Sequence, residues 1–268
     1  MATKEPSRTR SVLITGCSDG GIGAALAQCF ASHPNLHVYA SARSIAKMSE
    51  LSTIPNITLL ALDVTSPESI KIAVTTLQKA TGGSLDILVN NAGCGYTMPY
   101  LDSDIEVAKA LFEVNVWGPM RVTQAVQHML VQARGTVVTV GSTAESLGLA
   151  YQSNVSLLIL QFCEYVADQV GIIGVYCGSK AANRTMSETL RVELEPLGVK
   201  CLHVTTSFVK TSWFDNVPTF KLPNESYYQP IEKDIKSAAQ DHGFQMMPAA
   251  EFNKQLLVVD WTNLIERA

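Results

Sequence analysis

Six short apolar runs recur along the 268-residue chain, and segments of helical length separate them. The runs are Ser11–Thr15, His37–Ser41, Ile57–Leu62, Leu85–Val89, Thr136–Val140 and Val199–Thr205. Their side chains are nearly all apolar rather than alternating, which is typical of strands covered on both faces. Helices are expected over Ala24–Ser32, Pro67–Lys79, Ile105–Leu130 and Ala181–Leu197, with Gly198 ending the last one. This alternation predicts an α/β fold with a doubly wound parallel sheet.

Composition limits the class of protein. Hydrophobic residues make up 47% and charged residues 16%, so the chain can bury the large core of a single domain. A net charge of −4 without a basic stripe argues against nucleic-acid binding. The N-terminal segment 1–10 is polar, and no run approaches the roughly 18 apolar residues of a membrane span. Six cysteines without a C-x-x-C pair give no metal site, and we expect a cytoplasmic protein.

A glycine-rich turn follows the first predicted strand, with the sequence TGCSDGGIG from Thr15 to Gly23. Gly16, Gly21 and Gly23 let the backbone approach a phosphate, and the N-terminus of the next helix offers free N–H groups. Such a turn alone is weak evidence for a cofactor site, since glycine-rich turns also occur as ordinary loops. Its place between a strand and a helix favours a dinucleotide site.

The second predicted strand ends at Ala42 and Arg43, where proteins of this fold that bind NAD place an acidic residue. A guanidinium suits the 2′-phosphate of NADP(H), although Arg43 can also be an ordinary surface residue. Asp63 and Asn90 follow the third and fourth strands. Asp63 can accept from the adenine amino group, but both residues also favour turns.

Tyr176 and Lys180 are four positions apart, so both side chains share one face of a helix. A nearby lysine is expected to lower the pKa of the tyrosine from about 10 and so make it a general acid near neutral pH. Ser142 follows the fifth strand and Asn115 lies in the long predicted helix. The four residues together are much harder to explain by chance than the Tyr–Lys pair alone.

With these motifs in the same order, residues 10–220 resemble the short-chain dehydrogenase/reductase family. The match rests on Thr15–Gly23, Asn90–Gly93, Asn115, Ser142 and Tyr176–Lys180. Within the family the chain is similar to fungal NADPH-dependent 1-acyldihydroxyacetone-phosphate reductases and to reductases of fungal secondary metabolism. The resemblance implies a Rossmann-type single domain that uses NADP(H) to reduce a small-molecule carbonyl or to oxidise the alcohol.

The resemblance also implies a role for each site residue. Tyr176 donates the proton to the carbonyl oxygen, Ser142 hydrogen-bonds that oxygen, and Lys180 binds the nicotinamide ribose. Asn115 positions a water in a proton relay. The other implied cofactor contacts are Ile22, Asp63, Asn90, Val209 and Thr211. Relatives commonly pair through the helices that carry Asn115 and Tyr176, which implies a homodimer or homotetramer.

The chain departs from the family pattern in three places. Its glycine turn is one residue longer than the commonest spacing, and Thr206-Ser207 replaces the usual Pro-Gly. Ser142 and Tyr176 are also farther apart than usual, and removing 153–173 would restore the spacing. This insertion is interpreted either as a translated short intron or recent insertion, or as a helix that covers the substrate.

The predicted organisation is a tail over 1–10, a catalytic domain over 11–211 and a substrate-covering segment over 212–268. That last segment is aromatic at Trp213, Phe214, Phe220, Tyr227 and Tyr228. It lacks a convincing seventh strand, so the sequence is interpreted as truncated or misjoined there. The insertion and Ser207 leave a second function open, a non-catalytic NADP-binding scaffold.

Overall fold

The computed structural model describes residues 8–147, 174–206, 209–212, 221–233 and 247–248. The expected insertion at 153–173, Ser207 and most of the C-terminal segment lie outside these residues. The strands of the main sheet are β1 (Arg10–Thr15), β2 (Leu36–Ala42), β3 (Ile57–Ala61), β4 (Ile87–Asn90), β5 (Thr136–Val140) and β6 (Lys200–Val204). The strands β7 (Val209–Lys210) and β8 (Met247–Pro248) form a small separate sheet.

The main sheet is parallel throughout, in the order β3-β2-β1-β4-β5-β6. This confirms the predicted doubly wound α/β fold. The order reverses between β1 and β4, so the connections leave the sheet toward opposite faces there. All six strands end at the same edge, and a crevice at the reversal point is where such sheets bind ligands.

The helices are α1 (Ile22–Ala31), α2 (Pro67–Thr81), α3 (Ile105–Phe112), α4 (Gly118–Ala133), α5 (Ala144–Leu147) and α6 (Gly174–Leu194). A π-helical turn, Glu113–Trp117, joins α3 to α4. Short 3-10 turns occur at Ile45–Lys47, Ser49–Leu51, Tyr100–Asp102, Glu195–Leu197 and Gln229–Ile231. None of the helices in the described part of the chain is long and apolar enough to cross a membrane.

Local sequence signals explain where α2 begins and ends. Ser66 accepts a hydrogen bond from the backbone N–H of Ser69, Pro67 occupies the first turn, and Gly82 ends the helix with φ +64°. Gly198 adopts φ +76° after the turn that follows α6, as its predicted role as a helix stop requires.

Two apolar cores lie on opposite faces of the sheet. On one face Leu26, Ala27 and Phe30 of α1 pack against strand residues such as Val12 and Ile14. On the other face α2 and α4 pack against residues that include Leu13 and Leu88. Because both faces are covered, the strands are apolar along their whole length.

Two predicted helices differ from those in the structure. The single helix expected over Ile105–Leu130 is divided by the π turn Glu113–Trp117. The helix expected from Ala181 begins at Gly174 and ends at Leu194, so it already contains Tyr176 and Lys180. The apolar spacing of a segment does not reveal a π turn inside it, and it places the start of a helix only to within several residues.

Candidate active site

The glycine turn is shaped by close backbone contact. Gly16 has φ +75°, and a Cβ atom there would lie 2.8 Å from Cα of Ala92. A Cβ atom at Gly23 would lie 2.5 Å from Nδ2 of Asn91 and even closer to the carbonyl oxygen of Gly16. Only glycine fits at these two positions, so the start of α1 is held tightly against the end of β1.

Asn91 connects the glycine turn to β4. Its Nδ2 donates to the carbonyl oxygens of Thr15 at 2.8 Å and Gly16 at 3.1 Å. In return, Oγ1 of Thr15 accepts from the backbone N–H groups of Asn91 and Ala92, both at 3.0 Å. Sequence reasoning singled out Asn90 and missed the structural role of its neighbour, although both belong to the same motif.

The N-terminus of α1 is available to an anion. Gly21 precedes the helix and, within the described residues, no side chain caps it and its first turn carries no acidic residue. The backbone N–H groups from Ile22 onward and the positive end of the helix dipole therefore face the crevice unneutralised. Together with the close-packed glycines, this donor set fits the pyrophosphate of a nicotinamide dinucleotide.

The next three predicted contacts differ in what their side chains do. Arg43 is exposed directly after β2 and has no hydrogen-bond or ion-pair partner among the described residues, which leaves its guanidinium for a ligand. Oδ1 of Asp63 accepts from the backbone N–H and the hydroxyl of Thr65, at 2.9 and 2.7 Å, so it closes a turn. Asn90 is buried, and its Nδ2 donates to Thr123 at 3.0 Å, so its side chain points toward α4 rather than the crevice.

The segment after β6 lies against the glycine turn. Ser212 donates from its backbone N–H to the carbonyl oxygen of Gly20 at 3.2 Å and from its hydroxyl to that of Asp19 at 2.9 Å. Val209 is buried and Thr211 is partly exposed. Val209 and Thr211, the two predicted cofactor contacts, therefore lie within three residues of Ser212, which hydrogen-bonds the glycine turn directly.

Ser142, Tyr176 and Lys180 are brought together where β5 ends and α6 begins. The Ser142 side chain is hydrogen-bonded to Tyr176. The Nζ atom of Lys180 lies 5.9 Å from the centre of the Tyr176 ring and donates to the carbonyl oxygen of Val140 at 3.3 Å. The predicted Tyr–Lys–Ser cluster is thus a spatial cluster.

The expectation for the pKa of Tyr176 is wrong in this structure. Burial raises it to about 12, and the hydrogen bond from Ser142 only partly opposes that increase. Burial also lowers the pKa of Lys180 to about 8, against the charge of Glu145, which raises it. Burial is the largest influence on both pKa values, because withdrawal from water disfavours the charged form of each group.

Asn115 lies in the π turn and joins three parts of the site. Its Oδ1 accepts from the backbone N–H of Cys94 and its Nδ2 donates to the carbonyl oxygen of the same residue, both at 2.9 Å. The Nδ2 atom also donates to Oγ of Ser179 at 3.1 Å. Asn115 therefore fixes the loop after β4 against α6, one residue before Lys180. π turns often occur at functional sites.

Sequence reasoning missed a buried carboxylate beside Ser142. Glu145 accepts hydrogen bonds from the backbone N–H of Ser142 at 3.1 Å, from His203 at 2.8 Å and from Thr205 at 2.6 Å. Only the pairing of β5 with β6 brings these residues together, with Thr139 opposite His203. No spacing in the sequence indicates that contact. Among the described residues, no group of three or more His, Cys, Asp or Glu side chains could hold a metal ion.

The chain is similar in sequence to known proteins over most of its length. A profile of the family described as short chain dehydrogenase matches residues 10–155. Short-chain dehydrogenase PC-15 of Penicillium crustosum is 44% identical over 232 residues, which are 86% of this chain and 76% of that protein. The NADPH-dependent 1-acyldihydroxyacetone phosphate reductase of Schizosaccharomyces pombe is 36% identical over 228 residues, 84% of this chain and 69% of that protein.

Solved structures share the fold. A short-chain dehydrogenase from Streptomyces avermitilis has a TM-score of 0.72 at 23% identity, covering 96% of this chain and 84% of that one. The NADPH-bound carbonyl reductase from chicken fatty liver has a TM-score of 0.64 at 25% identity, covering 86% and 88%. Sequence and structure thus confirm the resemblance first seen in the motifs.

Proposed function

The chain belongs to the short-chain dehydrogenase family, whose members are oxidoreductases, and from that premise we propose that it is an NADP(H)-dependent carbonyl reductase. One observation carries the proposal: Ser142, Tyr176 and Lys180 meet at the carboxyl edge of the sheet, the edge that also carries the glycine cradle. A proton donor and a dinucleotide site at one edge are what hydride transfer to a carbonyl requires.

The cofactor would be held by this chain's own donors. The backbone at Gly16, Ile22 and Gly23 would face the pyrophosphate, and Arg43 would pair with the 2′-phosphate that distinguishes NADP(H) from NAD(H). When bound, the nicotinamide supplies or accepts the hydride. Val209 and Thr211 would contact its carboxamide. Asp63 and the backbone of Asn90 would line the adenosine side.

The protein groups handle the proton. Tyr176, with its pKa raised by burial to about 12, is protonated at neutral pH and would donate its proton to the carbonyl oxygen. Ser142 would hydrogen-bond the same oxygen and stabilise the charge that develops on it. Lys180 would bind the nicotinamide ribose and supply positive charge as the proton leaves Tyr176. The protonated form of Tyr176 is the one that carbonyl reduction requires.

The substrate that we propose is a small-molecule ketone of lipid or fungal secondary-metabolite biosynthesis. The similarity to the 1-acyldihydroxyacetone phosphate reductase of Schizosaccharomyces pombe supports a lipid substrate. The similarity to the Penicillium dehydrogenase is consistent with a secondary-metabolite substrate. The proposed organisation is a catalytic domain over 11–211 after a short tail, followed by a segment over 212–268 that covers the substrate.

We also propose that the protein pairs with itself. Helices α3, α4 and α6 expose apolar side chains at Val107, Met120 and Val192, which are 40%, 41% and 59% exposed. These helices flank Asn115 or carry Tyr176, and the family resemblance predicts pairing through them, as a homodimer or homotetramer. Light scattering after gel filtration tests this, and a monomer at micromolar concentration would contradict it.

The experiment for the proposed function measures cofactor binding and turnover separately. The purified chain is titrated with NADPH and with NADH by fluorescence, and NADPH oxidation is followed on a panel of acyl-ketone phosphates and aromatic ketones. We expect tighter binding of NADPH than NADH and oxidation with at least one ketone. Tight NADPH binding without any turnover would favour the non-catalytic scaffold, and preference for NADH would contradict the role of Arg43.

A further inference from the structure

The side chain of Glu145 is fully buried in the protein, although glutamate is among the residues least often buried. Glu145 belongs to α5, three positions after Ser142, and its carboxylate points back beneath the serine. A buried carboxylate needs several donors to be stable. Glu145 has three, and each comes from a different residue.

Its hydrogen bonds fix the loop that carries Ser142. Oε2 accepts from the backbone N–H of Ser142 at 3.1 Å, and the backbone N–H of Glu145 donates to the carbonyl oxygen of Ser142 at 2.9 Å. Oε1 accepts from the hydroxyl of Thr205 at 2.6 Å. Since a carboxylate only accepts, His203 contributes its Nε2–H at 2.8 Å. The serine loop is thereby attached to the end of β6.

The neighbouring glycine is required by the same cluster. A Cβ atom at Gly141 would lie less than 3.0 Å from both His203 and Glu145. The backbone continues the attachment, because Gly141 donates to Val204 and Thr143 donates to Thr206, both at 2.8 Å. Residues on both sides of Ser142 are therefore held by β6 and the residues just after it.

The charge of Glu145 also acts on Lys180 and Tyr176. Burial lowers the pKa of Lys180 to about 8, and the charge of Glu145 is the larger of the two influences that raise it. The same charge also raises the pKa of Tyr176, by less than burial, Cys177 and Cys94 do. His203 faces Glu145 from β6, and Cys94 is the other group that raises the pKa of Lys180. Arg184 of α6 pairs with Glu188 at 2.8 Å and donates to Oγ of Ser146, next to Glu145, at 3.2 Å.

The pKa of Glu145 itself supports an ionised group. Burial raises the pKa of Glu145, but the hydrogen bonds from Thr205, His203 and the Ser142 backbone together lower it by more. The net pKa of Glu145 is therefore below its usual value. Glu145 therefore remains a carboxylate throughout the neutral pH range. Its negative charge is constant while Lys180 and Tyr176 titrate.

We propose that Glu145 is a positioning residue of the active site, which holds Ser142 beside Tyr176 through its hydrogen bonds to the Ser142 backbone, His203 and Thr205. Its negative charge also supports the charged form of Lys180. This inference rests on the proposed function. Glu145 is a positioning rather than a catalytic residue because it acts through these neighbours. A purely structural carboxylate would stabilise the loop without affecting the titration of Lys180.

The test compares Glu145→Gln with Glu188→Gln, the same chemical change at an exposed carboxylate of α6. For Glu145→Gln we expect kcat to fall about tenfold to a hundredfold, since displacements near 1 Å can have effects of that size. The KM for NADPH should stay within about twofold, because the glycine cradle is untouched. The alkaline limb of kcat should move to lower pH, because Lys180 loses a supporting negative charge. Glu188→Gln should match the wild type in all three readouts.

Thr205→Val separates geometry from charge, since it removes one hydrogen bond and keeps the carboxylate. We expect a smaller loss of kcat and an unchanged alkaline limb. If Glu145→Gln fails to fold, Thr205→Val decides, and an unchanged kcat overturns the proposal. If Glu145→Gln folds and matches Glu188→Gln, the proposal is also overturned.

One readout needs no substrate, so it distinguishes this inference from the proposed function. In protein labelled with 13C-lysine, the Lys180 signal is identified by its loss in Lys180→Met and titrated by NMR. Glu145→Gln should lower its titration midpoint even if the wild type reduces no ketone on the panel. An unchanged midpoint would overturn the electrostatic role of Glu145, whereas wild-type inactivity would count against the proposed function alone.

Discussion

Replacing Lys180 by methionine should stabilise the folded protein while abolishing turnover. Burial lowers the pKa of Lys180 from 10.5 to about 8, so keeping the ammonium charged in the folded chain at pH 7 costs about 3 kcal/mol. Methionine has a similar length and no charge. The Val140 carbonyl loses its hydrogen bond from Nζ, which is worth about 1 kcal/mol. We therefore expect Lys180→Met to raise the free energy of unfolding by about 2 kcal/mol at pH 7.

The pH dependence gives the sign of the effect. Below about pH 8, Lys180 is charged in both the folded and the unfolded chain, so the advantage of methionine is complete. Between about 8 and 10.5 the folded wild type releases the proton and the unfolded chain retains it. The wild type therefore gains stability as pH rises through this window, and the difference between the proteins should be near zero at pH 10.

Urea unfolding at pH 7 and at pH 10 measures both values. Lys109→Met is the matched control, because Lys109 is 66% exposed on α3, and its unfolding free energy should change by less than about 0.5 kcal/mol. A Lys180→Met protein that is less stable than the wild type at pH 7 would contradict a net cost of burying the charged lysine. So would a stability difference that does not depend on pH.

Three further changes test the cofactor cradle and the fold. Gly23→Ala should weaken NADPH binding at least about tenfold in a fluorescence titration, because the added Cβ has no room. Gly82→Ala is the control: its Cβ meets open space, so this variant should bind NADPH normally and be only less stable, because alanine disfavours a φ of +64°. Arg43→Ala should weaken NADPH binding by about tenfold to a hundredfold and leave NADH binding nearly unchanged; equal losses would contradict the 2′-phosphate contact. Asp86→Asn should lower the unfolding free energy by about 1–3 kcal/mol without affecting NADPH binding, because the buried carboxylate accepts from the backbone N–H of Ser11 at 2.8 Å.

The sheet and the cofactor turn could be predicted because their signals are local. Apolar runs that do not alternate indicate strands covered on both faces, and glycines between a strand and a helix indicate a close backbone approach. The proximity of Ser142, Tyr176 and Lys180 could be expected because each lies at a fixed place relative to a strand or a helical turn. The adjacent positions of β1 and β4 at the centre of the sheet are typical of doubly wound folds.

Other features depend on contacts between distant residues. The hydrogen bond from Asn90 to Thr123 and the cluster of Glu145 with His203 arise only when strands and helices are packed. The pKa of Tyr176 could not be inferred from the position of Lys180, because burial of the tyrosine has the largest effect on that pKa. Sequence patterns record neighbours along an element, whereas desolvation depends on everything that surrounds a side chain.

The proposed mechanism depends above all on Tyr176, which would donate the proton in an NADPH-dependent carbonyl reduction. NADPH oxidation by the wild type and by Tyr176→Phe, measured on the same ketone at saturating cofactor, tests it most directly. We expect the variant to bind NADPH as tightly as the wild type while kcat falls by about a hundredfold to ten-thousandfold. A Tyr176→Phe protein that retains the wild-type kcat would contradict it.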